Sequence, residues 1–110
     1  MINIDRLKPL IVEKLKPLNP DKIILFGSYA YGHPNEYSDI DLFVLKDIEK
    51  SKIRQDRLQG QKLLWDLVKQ EKIGFDLFVD SSEQVNDRIK NFKDQFYQEI
   101  LDKGVVIYAK

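Results

Sequence analysis

The chain has 110 residues, 43% of them hydrophobic and 33% charged, a composition that suits one modest core and excludes a disordered protein. Its 18 basic residues balance its 18 acidic ones, so the overall charge does not indicate nucleic acid or a membrane surface as a partner. With no cysteine and one histidine, disulfides, thiolate metal sites and a multi-histidine zinc site are excluded.

Predicted helices and strands alternate along the chain. Apolar residues at helical spacing predict a helix over residues 5–15, with Pro9 in its first turn and Pro17 and Pro20 at its end. Strands are predicted over residues 22–26, 40–45, 73–79 and 105–108, and further helices over residues 28–31, 51–70, 82–91 and 94–102. This order predicts an α/β or α+β fold, a small sheet covered by helices mainly on one face.

The whole chain, residues 1–110, is expected to form a single domain, because no repeat, linker or low-complexity tract interrupts it. No window of about 18 apolar residues is present, so we expect no membrane span. The first residues lack the apolar core of a signal peptide, and the absence of cysteine suits a reducing compartment, so we expect a cytoplasmic protein.

Two carboxylates are predicted to lie side by side at the start of the second strand. Residues i and i+2 of a strand point to the same face, so Asp39 and Asp41 share one face while Ile40 and Leu42 take the other. Two carboxylates about 4 Å apart repel by roughly 1 kcal/mol in water and about 4 kcal/mol at an effective dielectric of 20. A hard divalent cation such as Mg²⁺ relieves this repulsion and prefers oxygen ligands.

A third carboxylate, Asp76, lies inside the apolar run of the third strand between Phe75 and Leu77. If the second and third strands pair, Asp76 shares the face of Asp39 and Asp41. Three carboxylates on neighbouring strands would hold one or two Mg²⁺ ions, and two-metal sites clamp the attacking and leaving oxygens of an in-line displacement.

Gly27 and Ser28 end the first strand where a short helix begins. Glycine lets a phosphate approach the backbone closely, helix-terminal N–H groups point toward it, and the serine hydroxyl adds a donor. A phosphate-binding turn that faces metal-binding carboxylates is the arrangement that phosphoryl and nucleotidyl transfer require.

The run "LFGSYAYGHPNEYSDIDLFVL" closely resembles the signature of the minimal nucleotidyltransferases (MNT) of the DNA polymerase β-like superfamily. The resemblance extends over nearly the whole chain and implies the fold of that superfamily, a small mixed β-sheet flanked by helices. It implies that Gly27 and Ser28 bind the nucleotide phosphates and that Asp39 and Asp41 bind metal. It also implies that Asp76 completes the metal site and acts as base on the acceptor hydroxyl.

Many MNT proteins are antitoxins whose partner is a HEPN-domain RNase toxin. The resemblance therefore implies that this chain transfers AMP from ATP, with Mg²⁺, to a tyrosine hydroxyl of such a toxin. One position departs from the family pattern: Tyr31 stands where members commonly carry an arginine, three residues after Ser28. A phosphate-facing cation is then either missing or supplied by a lysine from elsewhere in the chain.

Other interpretations stay open at this stage. The chain is either an enzyme, a binding module that neutralises its toxin by contact alone, or a subunit completed by assembly with itself or another protein. Gly27–Ser28 as a plain tight turn, and the three aspartates as surface or ion-paired residues, are the structural alternatives. Asp80 is expected to serve a turn or cap, Ser38 a loop, His33 the surface, and Trp65 packing or an interface.

Overall fold

The structure, a computed structural model, describes residues 2–110. Its strands are β1 (Lys22–Phe26), β2 (Ile40–Leu45), β3 (Phe75–Asp80) and β4 (Val105–Ala109). Its α-helices are α1 (Ile4–Leu15), α2 (Ser28–Tyr31), α3 (Ile53–Glu71), α4 (Ser82–Phe92) and α5 (Gln95–Lys103). Short 3-10 turns at Lys16–Leu18 and Lys50–Lys52 follow α1 and precede α3. Each predicted element is present, with ends that differ by one or two residues.

The four strands form one mixed sheet in the order β3-β2-β1-β4. β1 is antiparallel to both of its neighbours, whereas β2 and β3 are parallel. Parallel strands need a long crossover connection, which α3 supplies. As a result, the carboxyl end of β1 and the amino ends of β2 and β3 meet at the same end of the sheet. The predicted small mixed sheet flanked by helices is confirmed.

Each face of the sheet has its own apolar cluster. On the first face α1 and α3 pack on alternate strand residues such as Leu25, Leu42 and Leu77. On the second face α4 and α5 contribute Val85 and Ile100 to a smaller cluster. The prediction that helices cover mainly one face was therefore wrong, because the short amphipathic helices after β3 fold back over the second face.

Side-chain caps explain where α1, α4 and α5 begin. Asn3 caps α1 by accepting from the N–H groups of Asp5 and Arg6. Ser81 caps α4 and Asp94 caps α5. Because α1 starts at Ile4, Pro9 lies in the helix interior and not in the first turn as predicted. Its missing N–H cannot bond to the Asp5 carbonyl four residues earlier, a cost that the buried face of α1 offsets.

Gly60 allows α3 to approach the sheet closely. It is buried, and a Cβ atom there would overlap Cδ2 of Leu77 on β3. None of the helices within residues 2–110 has the length and apolar character needed to cross a membrane.

Candidate active site

The two strand carboxylates Asp41 and Asp76 are direct partners across the parallel β2–β3 pair. Phe26 of β1 is the partner of Asp41 on its other side, so these three residues form one row across the sheet. Because strand side chains alternate between faces, all three point to the second face, as predicted for the two acids. Asp76 is exposed and Asp41 is half-buried, so the row opens to solvent toward β3.

Asp39 stands immediately before β2 and is exposed. Its carboxylate lies over Gly74, where a Cβ atom would come within 2.7 Å of Oδ1, so glycine leaves room for this side chain. The Ile40 N–H donates to the Gly74 carbonyl at 3.0 Å, which ties the starts of the two strands together. The structure thus places all three predicted aspartates at one end of the sheet. Two of them, Asp41 and Asp76, are direct partners across the strand pair.

Gly27 brings the predicted phosphate turn against the acids. It has a φ of 73° and a ψ of −155°, a conformation that glycine alone adopts readily. A Cβ atom on Gly27 would overlap Oδ2 of Asp41, so the backbone of the turn touches that carboxylate. Ser28 follows directly and begins α2.

The pKa of the Asp41 carboxyl is raised above its ordinary value. Burial and the neighbouring charges of Asp76 and Asp39 raise its pKa from 3.8 to about 6, and a hydrogen bond shared with Asp76 contributes. In the absence of a cation, the site therefore retains a proton at a pH where an ordinary aspartate has lost it.

The carboxylate oxygens of Asp39, Asp41 and Asp76 are the type of ligand that a hard divalent cation prefers. Within residues 2–110, no three carboxylate or imidazole side chains already converge as a preformed metal cluster. The contacting pair of Asp41 and Asp76 nevertheless carries the unrelieved repulsion that a bound cation would remove, and both offer the oxygen ligands that Mg²⁺ prefers. Asp39 is near enough to raise the pKa of Asp41.

An aromatic wall borders the acids on the second face. The rings of Phe26, Phe78 and Phe96 contact one another, with centroid separations of 5.4 to 5.8 Å. Phe26 is the strand partner of Asp41, and Phe78 is two residues beyond Asp76 on the same face. Phe96 of α5 closes this wall and stays 44% exposed.

The other residues that the sequence analysis considered, Asp80, Ser38, His33 and Trp65, lie outside the row of acids. Asp80 is buried and accepts from the Ser81 N–H and the Tyr97 hydroxyl, which confirms a structural role over a ligand role. The Ser38 hydroxyl accepts from the Asn35 N–H at 3.0 Å, which confirms its loop role. As predicted, His33 is exposed; Trp65 is also exposed, on α3.

Two features of the site were not predicted from the sequence. Gly74 was not singled out, although a glycine directly before a predicted strand that carries an acid is a usable signal of close approach. The second is Lys103 of α5, whose ammonium nitrogen lies 5.8 Å from the centre of the Tyr31 ring. No local pattern relates these two residues, because they are far apart in the chain.

A known protein family and a relative each match most of the chain. The family described as "Nucleotidyltransferase domain" matches residues 4–107. A relative from Methanocaldococcus jannaschii, named "Putative protein adenylyltransferase MJ0604", is 33% identical over 87 residues, which cover 79% of this chain and 77% of the relative.

Solved structures share the fold at low identity. A toxin–antitoxin complex with AMP-PNP has a TM-score of 0.60 at 22% identity and covers 94% of this chain and 73% of that one. A complex named MntA-HpeT, in which two aspartates are changed to glutamate, has a TM-score of 0.59 at 20% identity, with the same two coverages. The third is a tri-AMPylated Shewanella oneidensis HEPN toxin with its MNT antitoxin, with a TM-score of 0.55 at 19% identity and coverages of 96% and 72%.

Proposed function

The chain belongs to the nucleotidyltransferase domain family, and on that premise we propose that it transfers AMP from ATP to a hydroxyl group of a partner protein. The observation that carries the proposal is the row at one end of the sheet. Asp41 pairs with Asp76, and the Gly27 turn lies against Asp41. Nucleotidyl transfer needs phosphates and carboxylates to face each other across one cleft.

Asp39, Asp41 and Asp76 are the residues that would hold Mg²⁺, as one or two ions. When bound, the metal supplies charge stabilisation to the reacting phosphoryl oxygens. The raised pKa of Asp41 supports this assignment, because three acids at one strand end repel one another unless a cation joins them.

Asp76 is the proposed base. It is the more exposed member of the contacting pair, so an acceptor hydroxyl from another molecule can reach it. In the reaction the acceptor oxygen forms a bond to the α-phosphorus while the bond to the bridging oxygen of the β-phosphate breaks. The acceptor proton passes to the Asp76 carboxylate, and pyrophosphate leaves.

Gly27 and Ser28 are proposed to hold the triphosphate. The glycine has no side chain to keep a phosphate away from the backbone, and its conformation turns the chain sharply out of β1 into α2. The Ser28 hydroxyl adds a donor at this turn.

The proposed acceptor is a tyrosine of a HEPN toxin, in which case the chain acts as an antitoxin in the cytoplasm. Support comes from the M. jannaschii relative, named as a protein adenylyltransferase, and from an AMPylated HEPN toxin among the structures of the same fold.

A second candidate is a binding module that neutralises its toxin by contact alone. The observation that favours it is the absence of Lys and Arg from residues 23–45, which include the turn, α2 and the first two acids. A site without a phosphate-facing cation would bind nucleotide weakly, and toxin neutralisation would then not depend on Asp41.

The test uses ATP labelled at the α-phosphate, Mg²⁺ and a HEPN toxin. Wild type and Asp41→Asn are compared with Asp47→Asn, the same substitution at an exposed aspartate beyond the far end of β2. We expect a labelled toxin band with wild type and Asp47→Asn and none with Asp41→Asn. ATP labelled at the γ-phosphate should label nothing, because the γ-phosphate leaves in pyrophosphate.

Toxin neutralisation is measured in the same samples. If Asp41→Asn loses both toxin neutralisation and the labelled band, the result supports neutralisation by AMP transfer. Neutralisation that survives Asp41→Asn, with no band from any variant, would instead establish the binding module.

A further inference from the structure

Positive charge is scarce where the proposed function needs it. A nucleoside triphosphate carries several negative charges, and the strand end that would receive it presents three carboxylates of the same sign. Residues 23–45, which build the turn and hold Asp39 and Asp41, contain no Lys or Arg. A cation that meets the phosphates must therefore come from another part of the chain.

The topology brings Lys103 to this end of the sheet. Lys103 is the last residue of α5, and Val105, two residues later, pairs with Leu25 near the end of β1. Gly104 between them packs against Ile24, which holds the end of α5 close to β1. Lys103 consequently lies next to the place where β1 leaves the sheet and turns at Gly27.

The ammonium of Lys103 is held over an aromatic ring of the turn itself. Its Nζ lies 5.8 Å from the centroid of Tyr31, within the range of a cation–π contact. Tyr31 is three residues after Ser28 on α2, so the two side chains are neighbours on one helical face. The other contact of Lys103 is a long, exposed ion pair with Glu99 at 3.8 Å, which leaves the ammonium accessible.

We infer that Lys103 binds the phosphates of the nucleotide and that Tyr31 is the positioning residue that holds its ammonium at the turn; this rests on the proposed function. The aromatic ring orients the cation without neutralising it, since a cation–π contact leaves the charge and the N–H donors in place. The departure at Tyr31 then does not leave the site without a cation.

The chain offers a close control. Lys69 lies 5.9 Å over the ring of Trp65 and forms a 3.8 Å ion pair with Asp66, but it belongs to α3 on the other face of the sheet. Lys69→Ala therefore removes an equivalent exposed cation–π contact that lies away from the proposed site.

The experiment measures the affinity of the full chain for Mg²⁺-ATP by titration calorimetry. We expect Lys103→Ala to weaken binding by about tenfold, the scale of one charge-assisted hydrogen bond, and Lys103→Arg to stay within about twofold of wild type. Tyr31→Phe keeps the ring and should bind like wild type, whereas Tyr31→Ala should weaken binding. Lys69→Ala should bind like wild type.

Provided that wild type binds Mg²⁺-ATP, two results would overturn the inference. The first is an affinity of Lys103→Ala equal to that of Lys69→Ala. The second is an affinity of Lys103→Arg as low as that of Lys103→Ala. Wild type that binds no Mg²⁺-ATP would instead count against the proposed function itself. The two failures are thus told apart in one series of titrations.

Discussion

The backbone of Gly27 lies directly against the carboxylate of Asp41, so that any side chain on Gly27 would overlap Oδ2. This contact joins the two halves of the site, the turn after β1 and the acid on β2. It also makes the site sensitive to one added methyl group.

Gly27→Ala should lower the free energy of unfolding by about 1–3 kcal/mol and abolish AMP transfer. The alanine would be strained at a φ of 73° and would displace Asp41. Urea unfolding measures the loss. In an Asp41→Ala background the same change should cost less, because the clashing oxygens are gone while the backbone strain remains. Equal costs in both backgrounds would show that the contact with Asp41 is not responsible.

The raised pKa of Asp41 should be visible in the pH dependence of the free energy of unfolding. Its raised pKa means that the folded, metal-free chain retains a proton between about pH 4 and pH 6 that the unfolded chain has released. The free energy of unfolding therefore falls as pH rises through this window, and the full penalty is present above about pH 6. Asp41→Asn should be more stable than wild type at pH 7.5, with a difference that shrinks toward pH 4. A difference independent of pH would contradict this origin.

Mg²⁺ should stabilise the chain through the same acids. A cation that binds only the folded state raises the melting temperature, by an amount that grows with the logarithm of its concentration once this exceeds Kd. We expect millimolar MgCl₂ to raise the melting temperature of wild type at pH 7.5 and to have little effect on Asp41→Asn. NaCl at equal ionic strength is the control for screening. An equal rise in both proteins would place the ion elsewhere.

Strand periodicity is local, so it was sufficient to predict that Asp39 and Asp41 share a face. That Asp76 shares this face was conditional on pairing of the second and third strands, which the structure shows between Asp41 and Asp76. Their direct pairing follows from the parallel register of β2 and β3, which depends on how α3 packs across the sheet. Contacts between distant segments, such as Lys103 with Tyr31, leave no local pattern. The cover of the second face was missed for the same reason, since α4 and α5 are short and only their packing shows which face they bury.

Tyr97→Phe should destabilise the fold without changing the chemistry of the site. The Tyr97 hydroxyl donates to Oδ2 of Asp80 at 2.8 Å, and Asp80 is only 6% exposed. Loss of this donor should cost about 1–3 kcal/mol of the free energy of unfolding, because a buried carboxylate oxygen loses its partner. Tyr108→Phe, at a half-buried tyrosine of β4, serves as the control and should be nearly neutral. A neutral Tyr97→Phe would contradict the importance of this bond.

Gly60→Ala should separate packing from function. The added methyl would overlap Leu77, a core residue that is only 2% exposed, so the overpacking cost of about 1–3 kcal/mol should exceed the gain of about 1 kcal/mol in helix propensity. Urea unfolding should show a net loss, while AMP transfer measured well below the melting temperature should be unchanged. A more stable variant would show that Leu77 can move aside.

The parallel pairing of β2 and β3 has a consequence for when the site comes into existence. Asp39 and Asp41 are synthesised before α3, but Asp76 follows it, and the two strands cannot pair until this long connection has closed. A nascent chain that ends at residue 71 would thus carry Asp39 and Asp41 without Asp76. The affinity for a divalent cation should appear only after β3 has docked, so cation binding reports the pairing of β2 with β3.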